Sequence, residues 1–236
     1  MNTKFSQGHR KLLYLIQVAN SAFPTGAFNH SYGFETLITN GDVSDAETLE
    51  KACDDWLLYS AAPLDGAGVV LAHRSATEGD INKLIELDNL IGSLKLAREI
   101  REASYKMGYA FLNAVMGIFE PDGLVERYRQ AIKEGSCKGN QAIAFGSVAS
   151  FYGASEEETV LVFFQSSLSN LITVAARLIP LGQIEAQHII TNTWPLLNKA
   201  VNIAMSRQAD DLGPTAVALE MAAMEHERLY TRLCMS

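Results

Sequence analysis

Proline is scarce, with 6 in 236 residues, and each one missing leaves an amide hydrogen and a free φ to the helix ladder. Cysteine is scarcer. Cys53, Cys137 and Cys234 are odd in number and far apart, which argues against a disulfide framework and suits a reducing compartment. Positive charge is in the minority, with 19 Lys and Arg against 27 Asp and Glu and a net charge of -8. Nucleic-acid phosphates and anionic membrane surfaces both need clustered cations, so neither is expected as a partner. No apolar stretch of signal-peptide length precedes Leu12. The longest apolar stretch, Thr159 to Leu178, is interrupted by Gln165, Ser166, Ser167, Ser169, Asn170 and Arg177, and reads as a buried helix rather than a bilayer span. A cytoplasmic protein is the expectation.

The signatures of chemistry are missing as well. No Gly-x-x-x-x-Gly-Lys-Ser/Thr run exists to cradle a triphosphate, and Gly66-Ala67-Gly68 lacks the third glycine of a dinucleotide fingerprint. His226-Glu227-Arg228-Leu229-Tyr230 has Tyr where a zincin helix needs its second His, and no Gly-x-Ser-x-Gly elbow occurs. The five histidines have no mutual ligand spacing, so each is read as a surface or capping residue, and no metal site is expected. Cys234 is the best candidate for an exposed thiol, against the plainer reading of a small apolar residue packing a terminal turn. No catalytic residue and no cofactor emerge, and the chain is not expected to be an enzyme.

Helical periodicity is what remains. Apolar residues between Leu84 and Phe119 fall mostly in steps of three or four. Gly41 suits a left-handed helix end, and Ser44 with Glu47 reads as a capping box. Glu120 to Gly123 reads as a turn and Gly135 to Gly139 as a loop. Ser155 before three glutamates reads as a helix start. Pro180 is expected in the first turn of a helix, and Pro195 should divide the Ile184–Met205 pattern. Asp210 to Pro214 separates a final helix running to about Leu229. About ten helical segments with no alternating strand predict one all-α domain over residues 1–236, with flexible ends at about 1–10 and 230–236.

Three stretches stand out. Ala19 to Glu35 carries Phe23, Phe28, Tyr32 and Phe34 around Pro24 and Gly26, which suits either a partner-binding loop or a corner plugging the core. Asn170, Arg177 and Gln183 lie among apolar neighbours and imply a polar network or an interface. Met224 to Ser236 mixes charge with Met, Leu and Tyr, as an adaptable binding surface or a frayed end would.

Together these stretches resemble the urease accessory protein F (UreF) family. Its Phe/Leu-Pro-x-Gly-Ala-Phe-x-His/Tyr-Ser-x-Gly-x-Glu motif matches Phe23 through Glu35, and its Arg-Glu-x-Arg-x-Ala-Ser-x-x-Met-Gly block matches Arg98 through Gly108. Ser-Asn-Leu…Arg-Leu-Ile-Pro-Leu-Gly-Gln matches Ser169 through Gln183, and Asp-Asp-Leu-Gly…Met-x-His-Glu-x-Leu-Tyr-x-Arg-Leu matches Asp210 through Leu233. Asn140-Gln141 departs from relatives that carry a His there, and Phe28 is Tyr in some.

The resemblance implies an all-α homodimer that binds UreD (UreH in some systems), recruits the nickel-binding GTPase UreG and docks on apo-urease for nickel insertion. It also implies a C-terminal segment that orders on binding UreD, with the GTPase contacted near the dimer axis. Carried over by motif, the partner-binding residues are Phe28, Tyr32, Glu35, Arg228, Tyr230 and Arg232. An alternative is a GTPase-activating or gating role, in which Arg232 or Arg177 enters the GTPase site in trans; an ion pair within the fold is the competing role for Arg177.

Overall fold

The computed structural model describes residues 6–121 and 123–235. Among them are twelve α-helices and no strand. They are α1 (Gln7–Ala19), α2 (Phe34–Asn40), α3 (Ala46–Asp55), α4 (Ala67–Glu78), α5 (Ile81–Leu94) and α6 (Arg98–Phe119), then α7 (Leu124–Lys133), α8 (Gln141–Phe151), α9 (Glu156–Ala175), α10 (Gln183–Asn192), α11 (Trp194–Ser206) and α12 (Val217–Glu225).

Helix α8 is the central post. Its sequence is apolar all round, and residues Ala142 to Ala149 are all buried. Helices α4, α5, α6 and α9 pack around it. Glycines permit the closest crossings, since a Cβ at Gly146 would collide with the Val69 carbonyl of α4, and one at Gly108 with the Gly139 carbonyl ahead of α8. Gly66 and Gly68, the near miss of a nucleotide loop, do the same work against Phe164 and Ile91. By length and composition α9 could cross a bilayer, but 56% of its apolar window is buried within the chain.

Most punctuation falls where expected. Gly41 closes α2 at φ 83°, and Ser155 caps α9 in a capping box with Glu158. Pro195 opens α11 just after α10 ends, and residues 135–139 form a loop. Residues 120–123 separate α6 from α7, though Asp122 lies outside the described residues. Three details differ. The capping box before α3 is Asp45 with Thr48, one residue past the expected Ser44 and Glu47; the Asp45 carboxylate reaches the Thr48 amide better than a shorter Ser side chain placed one residue earlier could. Pro180 lies in the turn after α9, and α10 begins only at Gln183. The 84–119 periodicity is cut at residues 95–97, where Lys95 is extended and turns inward to Asp65.

Trp56–Gly66 is a π-helical run joining α3 to α4, with Pro63 inside it. Pro63 has no N–H to offer the carbonyl of Tyr59 four residues back. That carbonyl instead accepts from the Thr215 amide at 2.7 Å and the Ala216 amide at 3.2 Å, pinning the start of α12. Helix α12 then lies over Gly33, where an added Cβ would meet the Ala223 nitrogen at 2.9 Å. Its far end delivers His226 and the C-terminal strap to the N-terminal motif.

Candidate functional site

The strap, residues 229–235, returns to a carboxylate supplied by α2. Tyr32 at φ 52° and Gly33 at φ 88° form a left-handed corner that turns the chain sharply into α2 and aims Glu35 inward. Glu35 is 4% exposed and accepts from the Leu233 amide at 2.6 Å, the Cys234 amide at 2.9 Å and His226 Nε2 at 2.8 Å. Burial alone would raise its pKa. The Leu233 amide, His226 and the Cys234 amide outweigh that and hold it below the ordinary 4.5.

His226 is fully buried between two carboxylates, its Nδ1 lying 2.6 Å from Glu99 Oε2. Carboxylate oxygens only accept, so both contacts are satisfied when both ring nitrogens carry hydrogen. Glu99, from the first turn of α6, accepts from Arg232 at 2.8 Å through its other oxygen. Arg98 pairs with Glu227 at 2.7 Å, and the Met235 amide reaches the Asn29 carbonyl at 2.9 Å. The strap is thus tied by charge-assisted bonds and little apolar burial. Tyr230 is wholly exposed, while Leu233 and Met235 are exposed on the same segment.

Of the six motif-derived partner residues, the structure gathers Glu35 and Arg232 into this network. Phe28 is exposed on the adjoining loop. Arg228 and Tyr230 point outward. Tyr32 packs its ring on Trp56 at 5.7 Å, and burial, with Asp65 nearby, raises its hydroxyl pKa. The aromatic loop divides between its two readings: Phe23 and Phe34 are in the core, and Phe28 is at the surface.

The polar trio is not one network. Arg177 is exposed and donates to the Phe28 carbonyl at 2.6 Å, a hydrogen bond where an ion pair was expected. Asn170 lines a cavity of about 30 Å³ with Ser166, Ser167 and Asn20, room for about one water. Gln183 is exposed at the start of α10.

Two residues that hold the site together were not singled out by sequence. Glu99 falls inside the Arg98–Gly108 block and His226 inside the Asp210–Leu233 block, but neither is among the residues carried over, and His226 is read as a surface or capping residue. That reading fails for three of the five histidines, since His30, His73 and His226 are buried. Cys234 is half-buried, its thiol pushed up to about 12 by burial and by Glu35. No group of three or more His, Cys, Asp or Glu residues among those described is arranged to hold a metal ion.

A second surface feature lies across the molecule's α1 side. Leu12, Ile16, Leu161 and Trp194, all exposed, converge on an apolar groove of about 610 Å³ between α1, α9 and α11.

Fold and site define an all-α protein whose notable polar groups bind one another, with a C-terminal strap displaying unpartnered apolar side chains. The UreF family model matches residues 43–193. Proteins described as urease accessory protein UreF are similar over nearly the whole chain. The relative from Actinobacillus pleuropneumoniae serotype 5b (strain L20) is 33% identical over 222 residues, covering 94% of this chain and 97% of that one. The one from Haemophilus influenzae (strain ATCC 51907 / DSM 11121 / KW20 / Rd) is 36% identical over 222 residues, 94% of each. That from Bacillus sp. (strain TB-90) is 32% identical over 226 residues, 96% of this chain and 99% of its own length. The chain belongs to the UreF family.

Proposed function

We propose that this chain acts in urease maturation as a non-catalytic scaffold that binds UreD and recruits the GTPase UreG, so that nickel, the cargo, is inserted into apo-urease. The observation that carries the reading is the strap docked on buried Glu35, with Phe28, Arg228 and Tyr230 exposed beside it. A segment with exposed Tyr, Leu and Met side chains, held by a few polar anchors, suits burial against a partner. Within this proposal Glu35 and Arg232 shape the surface, and Phe28, Arg228 and Tyr230 touch the partner. The strap is the flexible end, free to detach as a unit.

The homodimer belongs to the same proposal, and the α1–α9–α11 groove is its contact, because four large exposed apolar side chains converge there. Arginine insertion into the GTPase is the weaker reading, since Arg232 is held by Glu99 and Arg177 by the Phe28 carbonyl.

Deleting residues 229–236 tests the scaffold. UreD should no longer be captured in a pulldown, while helicity by circular dichroism is retained. Undiminished capture contradicts the proposal. With the full chain, which keeps Arg232, acceleration of UreG GTP turnover beyond a few-fold would favour the arginine reading, whose effect is about 10³–10⁵.

A further inference from the structure

Helix α1 has a second trough on its other side, of about 470 Å³, closed by the ends of α6 and α8. Its floor is aromatic. Tyr14 stacks on Tyr152 at 3.9 Å, Phe119 meets both edge-on at 5.2 and 5.5 Å, and Phe151 stands against Tyr152 at 5.1 Å. The floor is rigid, because Tyr152 also donates its hydroxyl to the Phe119 carbonyl. Leu13 and Phe151 are half-exposed at its mouth.

Two features point to a ligand. The Tyr14 hydroxyl is buried with no hydrogen-bond partner among the described residues, in a residue only 3% exposed, and such a group is costly unless something reaches it. The charged residues of the lining are both cations, Arg10 and Lys11, on a chain that carries -8 overall. Lys11 is paired with Glu158 at 2.6 Å, but Arg10 meets no carboxylate among the described residues. Gln7 and Gln17 stand at the two ends of the α1 edge, each with an amide able to bond an extended backbone.

We infer that this trough is a docking site for an acidic linear peptide segment, with one large apolar side chain entering the aromatic floor and a neighbouring carboxylate meeting Arg10. Rigid aromatics bury an anchor at low entropic cost, and arginine matches a carboxylate bidentately. A nucleic-acid strand fits less well, since one cation without a carboxylate partner cannot track a phosphate backbone. The inference is independent of the partners proposed above.

Fluorescence anisotropy on the full chain tests it, with labelled acetyl-Glu-Asp-Trp-Asp-Leu-amide, the same peptide with lysine for each acid, and a labelled oligodeoxythymidylate. The acidic peptide should bind at least about tenfold more tightly than the other two probes. Arg10→Glu should weaken it by about tenfold, and Tyr14→Phe by roughly threefold, with amide shifts confined to residues 7–17 and 151–153. No saturation by about 1 mM, equal binding of the lysine peptide, tighter binding of the oligonucleotide, or indifference to Arg10→Glu would each overturn the assignment.

Discussion

Glu35 is a carboxylate removed from water and given three donors in place of its hydration, two of them backbone amides of the strap. Its pKa is lowered in the folded chain, so its contribution to stability is fully present above the ordinary value of 4.5 and is lost as pH falls through the lowered folded value. Amide protection of Leu233 and Cys234, measured by hydrogen exchange, should therefore be high at about pH 6.5 and fall steeply towards about pH 3. Glu35→Gln should show weaker protection and a flatter acid limb. Equal acid sensitivity in both proteins would place the loss elsewhere. At this scale the sequence was legible where a motif named the residue, as for Glu35 and Arg232. The motif also names His226, but its burial was not legible, because the two carboxylates that receive its ring come from α2 and α6, more than a hundred positions away, and spacing along one helix carries no trace of them.

Helix α12 is apolar apart from Glu220 and Glu225 yet lies at the surface, with Leu219, Ala222 and Ala223 turned inward and Val217, Met221 and Met224 turned out. Its inner face approaches the α2 corner so closely that only glycine fits at position 33, in a left-handed conformation that other residues resist. Gly33→Ala should cost about 3 kcal/mol by urea unfolding, from strain and overpacking together. Hydrogen exchange should show opening concentrated in residues 217–235. A loss spread evenly over α4 and α8 would mean that α12 does not open separately. Helix starts and stops were legible because caps are local: Gly41, Ser155 and Pro195 act through neighbours within a turn. The π-helical run was not legible. Pro63 breaks no helix here because the segment widens and the Tyr59 carbonyl finds Thr215, a partner remote in sequence.

At the scale of the whole molecule, the large exposed apolar side chains concentrate around α12 with the strap and along α1 with α9 and α11. An all-α domain was legible from periodicity and from the absence of alternation. The placement of these surfaces was not, because exposure depends on which helix covers which. If the α1–α9–α11 groove joins two copies, Trp194→Asp should convert a dimer into a monomer of unchanged helicity by light scattering, and a persistent dimer would move the contact elsewhere. The central claim is that the chain works through a surface built by docking its own C-terminus on Glu35. Titrating UreD into the wild-type chain and into Glu35→Ala by calorimetry tests it most directly. The account predicts binding weaker by at least about 2 kcal/mol, roughly thirtyfold, in a variant that remains helical. Equal affinity for the two proteins would contradict it.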